Sequence, residues 1–447
     1  MKFKRKAGLV VSSTILAVSV LAGCASNKGS EQATSGDKDE VVTIKYYNWD
    51  NEIQAATTEQ YIEQFEKENP NINVESVSLV PGNSLETLKK LDVLMASGEK
   101  VDLVMLPHAD AVFERTAQGV LAPLDEFYEK SNLNPEEEYY VNPQYEGKYY
   151  GIQNNVVQNY VLLNKNALDE AGLPVPKLGW TWDDFAEYAR KLTKGEGEEK
   201  QYGAYFHNWS LYANPMAQIQ FKHPFLTEEG KTNFDDPTFE YFFNLRRTME
   251  KEDQSIKPYS DVIGAKLNYR TEFFNGDAAM LLTGTFTIND PGDLENYPHD
   301  FKTAFAPVPL YSKDDKPEIF MGGNFLSIGA NSDNKEEAFK FARFMSTNLT
   351  EARTELPGWK KGDVKPLVER FISGKEDMYD VESLMYTLFE SGVEPLPTSK
   401  VSITYGSQLD QILTDGFSQF ILEDKSAKEV QDWMVKEANN VIEENSK

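Results

Sequence analysis

The chain has one cysteine and four histidines in 447 residues. A single thiol excludes an intramolecular disulfide framework and any metal site built on clustered thiolates. His108, His207, His223 and His299 are scattered, with no H-E-x-x-H spacing, which argues against a zinc hydrolase. G-x-S-x-G, Walker A and G-x-G-x-x-G motifs are also missing. Positive charge is scarce: 45 basic side chains against 72 acidic ones leave a net −27. Nucleic acid or an anionic membrane surface would repel such a chain. The abundance of carboxylates guarantees accidental pairs, so it is no sign of a glycosidase. No catalytic residue, metal ligand set or cofactor is read from the residues, and the chain is read as no enzyme.

Long apolar runs are nearly absent as well. The one that exists, Leu9 to Leu21, follows Lys2, Lys4, Arg5 and Lys6 and is short for a membrane span, so residues 1–23 read as an export signal. The run ends Leu21, Ala22, Gly23, Cys24, which looks like a lipobox and makes Cys24 the lipid-bearing first residue of the mature chain. Residues 24–40 hold no large apolar side chain beyond that point and read as a disordered tether. Removing the signal leaves a net −31, so attachment to the cell membrane, on its extracytoplasmic face, must come from lipid rather than charge.

What remains is ample for globular cores: 40% of residues are apolar, enough for two or three domains. Val41–Tyr47 reads as a strand, Thr57–Glu68 as a helix ended by Asn69 and Pro70, Ile72–Glu75 as a strand, and Ser84–Ser97 as a helix opened by Asn83 with Glu86. Val101–Leu106 is an apolar strand ended by Pro107, and Asp110–Gln118 a helix ended by Gly119. The alternation predicts an α/β fold with a parallel, doubly wound sheet. A hairpin turn at Glu146 and Gly147 precedes a second buried strand, Val156–Leu163. Helices then dominate, with Thr181 and Asp184, and Asp236 with Pro237, as their openings. Lys335–Met345 and Ser407–Glu443 read as further amphipathic helices.

The landmarks resemble the extracellular solute-binding proteins of bacterial ABC importers, the family that includes maltose-binding protein. The resemblance runs from about Val41 to Glu443. It is carried by VTIKYYNWDNE (Val42–Glu52), FEKENPNINV (Phe65–Val74), GVLAPLDEF (Gly119–Phe127) and GKYYGIQNNVVQNYVLLNKNALDEAGLPVP (Gly147–Pro176). WTWDDFAEYARKLT (Trp180–Thr193), FFNGDAAMLLTGTF (Phe273–Phe286), FAPVPL (Phe305–Leu310) and GGNFLSIGANSDNKEEAFKFARFM (Gly322–Met345) continue it. It implies a two-lobe α/β fold of the periplasmic-binding-protein type. The lobes would comprise residues 41–155 with about 307–348, and 156–306 with about 349–447, joined by three crossing segments. It also implies a ligand-closing cleft, an oligosaccharide ligand, ABC transporter membrane subunits as partners, and a monomer. Two departures touch the ligand: Phe286 stands where many relatives have tryptophan, and Gln153 where many have proline.

A neutral sugar needs aromatic platforms and amide, hydroxyl or carboxylate groups around them. Trp49 and Glu52 directly follow the first strand, where ligands of open sheets gather, although a packed Trp49 is an equal alternative. Asp110 falls, by resemblance, where relatives place a sugar-binding polar residue; a helix N-cap is the other reading. Asn154 and Asn155 lie at the first crossing and either bridge hydroxyls or form a turn. Trp209, Tyr212, Phe286, Asn324 behind Gly322 and Gly323, and Tyr405 before Gly406 complete the candidates. The alternatives are an extracellular carbohydrate-active hydrolase and a binding protein for a non-sugar solute.

Overall fold

The computed structural model describes residues 41–219 and 223–445. Cys24, the signal and the tether therefore lie outside the described residues. The unit from Val41 onward is laid down as follows. Strand β1 (Val42–Asn48) leads to helix α1 (Glu52–Glu68), β2 (Ile72–Ser78), α2 (Ser84–Ala96), β3 (Leu103–Leu106), α3 (Ala109–Ala117) and β4 (Ile152–Gln153). Next come β5 (Asn159–Asn164), α4 (Trp182–Leu192), α5 (Pro237–Arg247), β6 (Met280–Gly284) and β7 (Thr303–Ala306). The chain then returns through β8 (Phe325–Ile328) and α6 (Lys335–Thr347) and ends in α7 (Gly406–Leu422) and α8 (Ala427–Asn445).

Two sheets organise two lobes. The first lobe's sheet runs β2-β1-β3-β8-β4 and the second lobe's runs β6-β5-β7. Within these two sheets the expected parallel pairing is confined to β2-β1-β3. Strand β8 is antiparallel to both β3 and β4, and β5 is antiparallel to β6 and β7. A right-handed β-α-β crossover makes a parallel neighbour, whereas β8 and β6 reach their sheets through long returns that impose no such direction.

Local chemistry sets the helix starts. Asn51 caps α1 in a reciprocal box with Gln54, so the helix begins five residues before the predicted Thr57. Asn83 caps α2 through Glu86 N–H at 3.0 Å, without the return bond from Glu86. Thr181 and Asp184 form the full box that opens α4, and Asp236 caps α5. The predicted hairpin turn is present, with Glu146 and Gly147 both in the left-handed region at φ 48° and 78°. Trp180 and Trp182 are core side chains of the second lobe. The predicted tail helix is two helices, α7 and α8, packed on α5 through Phe243, Phe417 and Phe420.

The lobes are joined by three stretches that hydrogen-bond side by side. Residues 153–157 lie between 321–324 and 353–358: Val157 and Gly322 exchange N–H···O bonds of 3.0 Å, and Val156 N–H donates to Leu356 O at 2.8 Å. Together the three stretches make up the hinge of this two-lobe fold.

Candidate functional site

Strand β6 ends at Gly284, and Phe286 follows it in the turn that also carries Thr285 and Thr287. Trp209 comes from the loop before Ser210–Tyr212. These meet as an aromatic wall: Trp209 lies 6.1 Å from Phe286 and 5.1 Å from Tyr269, at interplanar angles of 72° and 60°. His207 stands edge-on to Trp209 at 4.9 Å, and burial pulls its pKa down to about 4, so it is a neutral part of the wall. Tyr212 backs the indole in a stacked contact at 6.0 Å. Tyr212 is not itself a surface: it is 1% exposed and its hydroxyl donates to Leu282 O. Trp209 and Phe286 are partly exposed.

Arg270 crosses the foot of this wall. Its Nε donates to Asp290 at 2.7 Å, its Nη2 to Phe286 O at 3.3 Å, and its guanidinium also bonds the Tyr269 hydroxyl. Arg270, a cation in contact with the aromatic wall, is thus neutralised by a buried carboxylate.

The hinge supplies the amides. Asn154 is partly exposed; its N–H donates to Asn324 O at 2.8 Å, while its side-chain Oδ1 is buried without a partner. Asn155 is 1% exposed, and its amide is engaged at both ends, accepting from Asn324 N–H at 2.7 Å and donating to Glu355. Gly323 meets the expectation of close approach, but toward the hinge: a Cβ there would sit 1.9 Å from Asn155 O. Asn324 is partly exposed beside it.

In the first lobe, Trp49 is 8% exposed and packs in the core, so the packed alternative is the one observed. Glu52 is exposed in the first turn of α1. Asp110 does not cap α3. His108 does, its Nδ1 accepting from Ala111 N–H at 3.1 Å, and burial lowers this imidazole to about 4, which keeps the acceptor lone pair. Freed from capping, Asp110 reaches the other lobe and accepts from Ile403 N–H at 3.0 Å. Burial, countered in part by that bond, pushes its pKa up to about 7. Tyr405, partly exposed, precedes α7 just beyond.

The structure therefore gathers Trp209, Phe286 and the uncalled Tyr269 and His207 into one wall, and Asn154, Asn155 and Asn324 into the hinge. Glu355 and Gln153 join the hinge as carboxylate and amide neighbours, whereas Glu114 and Asp410 face Asp110. Gln153 was visible as a departure from relatives; Tyr269 and Glu355 carry no spacing signal, because they converge from separate segments. Two cavities, of about 530 and 600 Å³, lie elsewhere and share Asn166 in their linings; neither is lined by a predicted site residue.

Residues 48–348 match the model of the bacterial extracellular solute-binding proteins. The chain belongs to that family. Its members bind solutes rather than transform them, and the hydrolase alternative falls with that membership. A multiple sugar-binding protein of Streptococcus mutans is 25% identical over 369 residues, 78% of this chain and 80% of its own length. An ABC substrate-binding protein from Listeria monocytogenes in complex with cycloalternan superposes with a TM-score of 0.75 at 21% identity, covering 90% of this chain and 99% of that one. UgpB from Mycobacterium tuberculosis in complex with glycerophosphocholine superposes at 0.72 with 19% identity, covering 90% and 99%. These likenesses give the α/β periplasmic-binding-protein fold. Among the described residues no helix is long and apolar enough to cross a membrane.

Proposed function

We propose that this solute-binding protein is the lipid-anchored receptor of an ABC importer and captures a carbohydrate, an oligosaccharide by preference, between its lobes. The observation that carries the ligand class is the aromatic wall of Trp209, Tyr269 and Phe286, whose turn is tied to the first crossing by the Thr285 hydroxyl donating to Val156 O at 2.8 Å. Sugar rings offer apolar C–H faces to such rings and hydroxyls to such amides. Charge supports an uncharged ligand over a phosphodiester: Arg270 is paired with Asp290, and Arg353 at the hinge is engaged by the carbonyls of Asn154, Glu355 and Met345. Trp209, Phe286, Asn154, Asn324, Glu52 and Tyr405 are the proposed contacts, with Trp49, Tyr212 and Asn155 supporting them from behind. The proposal divides the lobes at the crossings, with residues 41–155 and about 324–353 in the first and the rest in the second, later than the expected 307 and 349, since Val308 and Ile319 pack with the second lobe's core.

The test is thermal stability against a panel of mono- and oligosaccharides and glycerophosphodiesters. Ligand at about 100 times its dissociation constant adds about 2.7 kcal/mol by mass action. A concentration-dependent shift with intact sugars supports the reading; a shift with phosphodiesters alone replaces the ligand class. Anchoring through Cys24 predicts that Cys24→Ser moves the protein from the membrane fraction to the medium.

A further inference from the structure

One contact between the lobes away from the hinge involves neither an aromatic nor a ligand. Helix α3 of the first lobe lies against the head of α7, whose body is packed on α5 in the second. Asp110 Oδ1 accepts from Ile403 N–H at 3.0 Å, and Glu114 Oε1 accepts from Ser407 N–H at 2.9 Å. Ser407 lies in the first turn of α7, where backbone N–H groups have no partner within the helix. Carboxylates from another lobe thus do what an N-cap side chain does for most helices; Tyr405, at the cap position, makes no such bond. The fit is close: a Cβ on Gly406 would stand 2.8 Å from Asp110 Cγ, so a larger residue there would have to displace the Asp110 carboxyl.

We propose that Asp110 and Glu114 on α3 and the head of α7 form an interlobe latch that closes the cleft without ligand and releases as the surroundings become alkaline. The sign follows from the groups that face it. Burial is the main cause that lifts Asp110, with Glu114 and Asp410 adding repulsion and the Ile403 and Ser402 groups opposing. Asp410 on α7 is raised to about 6 by burial, against the Ser210 hydroxyl and with Glu114 adding to the rise. Glu114 is raised by burial too. Three carboxyls therefore converge. Arg115, the cation that acts on Glu114, is held by Asp92 at 2.8 Å and Ala111 O at 3.0 Å. His108 is neutral, and Lys400 and Tyr145 are the remaining titratable side chains on the short segments packed against α3. Opening the lobes hydrates the carboxyls and returns them toward ordinary values. The closed form then holds more protons between about pH 4 and pH 7, and acid favours closure across that window.

Hydrogen exchange in the ligand-free, full-length protein tests this, because the amides of Ile403 and Ser407 are protected only while the latch is made. After correction for intrinsic rates, their protection is expected to be about tenfold or more greater at about pH 5 than at about pH 8. Asp110→Asn, which keeps the shape and removes the charge, should retain protection at Ile403 and flatten its pH dependence. Asp110→Ala with Glu114→Ala should abolish protection at both amides while β5 amides stay protected, which shows that the fold persists. Unprotected amides in the wild type, equal protection at both pH values, or protection that survives the double alanine change would each overturn the latch. The outcome is independent of which solute the cleft takes, since no ligand is added.

Discussion

The side chain of Gln153 and the carbonyl of Gly322 are joined by a hydrogen bond of 2.9 Å that ties the first crossing segment to the second. The same side chain accepts from Val141 N–H at 2.8 Å, and a Cβ on Gly358 in the third crossing would lie 2.5 Å from its Cγ. One fully buried glutamine thus touches every part of the hinge. Gln153→Leu, similar in volume, strands a buried N–H and a buried carbonyl. A loss of about 1–3 kcal/mol per stranded group is expected in chemical denaturation, accompanied by a changed ligand-free radius of gyration. Unchanged stability would mean that water replaces both bonds.

Two tryptophans that look alike in sequence should behave oppositely. Trp49 is packed in the first lobe's core, so Trp49→Ala should cost about 3–5 kcal/mol of stability. Trp209 keeps part of its ring open, so Trp209→Ala should weaken sugar affinity roughly tenfold or more, with a smaller loss of stability. Calorimetry and thermal melts on both variants separate the two effects.

Glu138 is 2% exposed and binds Arg343 at 3.0 Å, Trp359 Nε1 at 2.8 Å and the Lys361 ammonium. It clamps the third crossing onto the first lobe. Burial alone would raise its pKa, but the bonds from Lys361, Trp359 and Arg343 outweigh burial and hold it below the usual range. A depressed carboxyl stabilises the fold above its unfolded pKa and loses that contribution as pH falls through its folded one. Glu138→Gln should therefore destabilise by about 3 kcal/mol at neutral pH, and the deficit should shrink in acid. Melting temperature against pH for both proteins measures it.

Asp50 predicts the reverse. Burial lifts its carboxyl to about 6, opposed by the Thr58 hydroxyl at 2.6 Å and assisted by Glu355. The folded state holds a proton that the unfolded chain has released between about pH 4 and pH 6, so stability from this group is present below that window and gone above it. Asp50→Asn should be more stable than the wild type by up to about 3 kcal/mol at about pH 8, with the advantage vanishing near about pH 4. Equal stability at both pH values would show that folding leaves the Asp50 pKa unshifted.

The sequence by itself determined many of the elements and several of their starts where the cause is local, although the equally local caps Asn51 and His108 were missed. Capping at Asn83, Thr181 and Asp236, the left-handed turn at Glu146 and Gly147, and the apolar run of β3 all depend on residues a few positions apart. The ordered landmarks along the chain were equally legible, and they led to the family and its fold. Tertiary structure alone decided strand direction in β5 to β8, since a strand's direction is set by a return path that leaves no mark on its own residues. It also decided the roles of the candidate side chains. Trp49 and Tyr212 were packed, Asn155 was turned into the hinge, and Asp110 was released from capping by His108 to reach Ile403, 293 residues away. Whether a polar or aromatic side chain is free to meet a ligand depends on which distant backbone groups claim it first, and that is a property of three-dimensional proximity that no local pattern encodes.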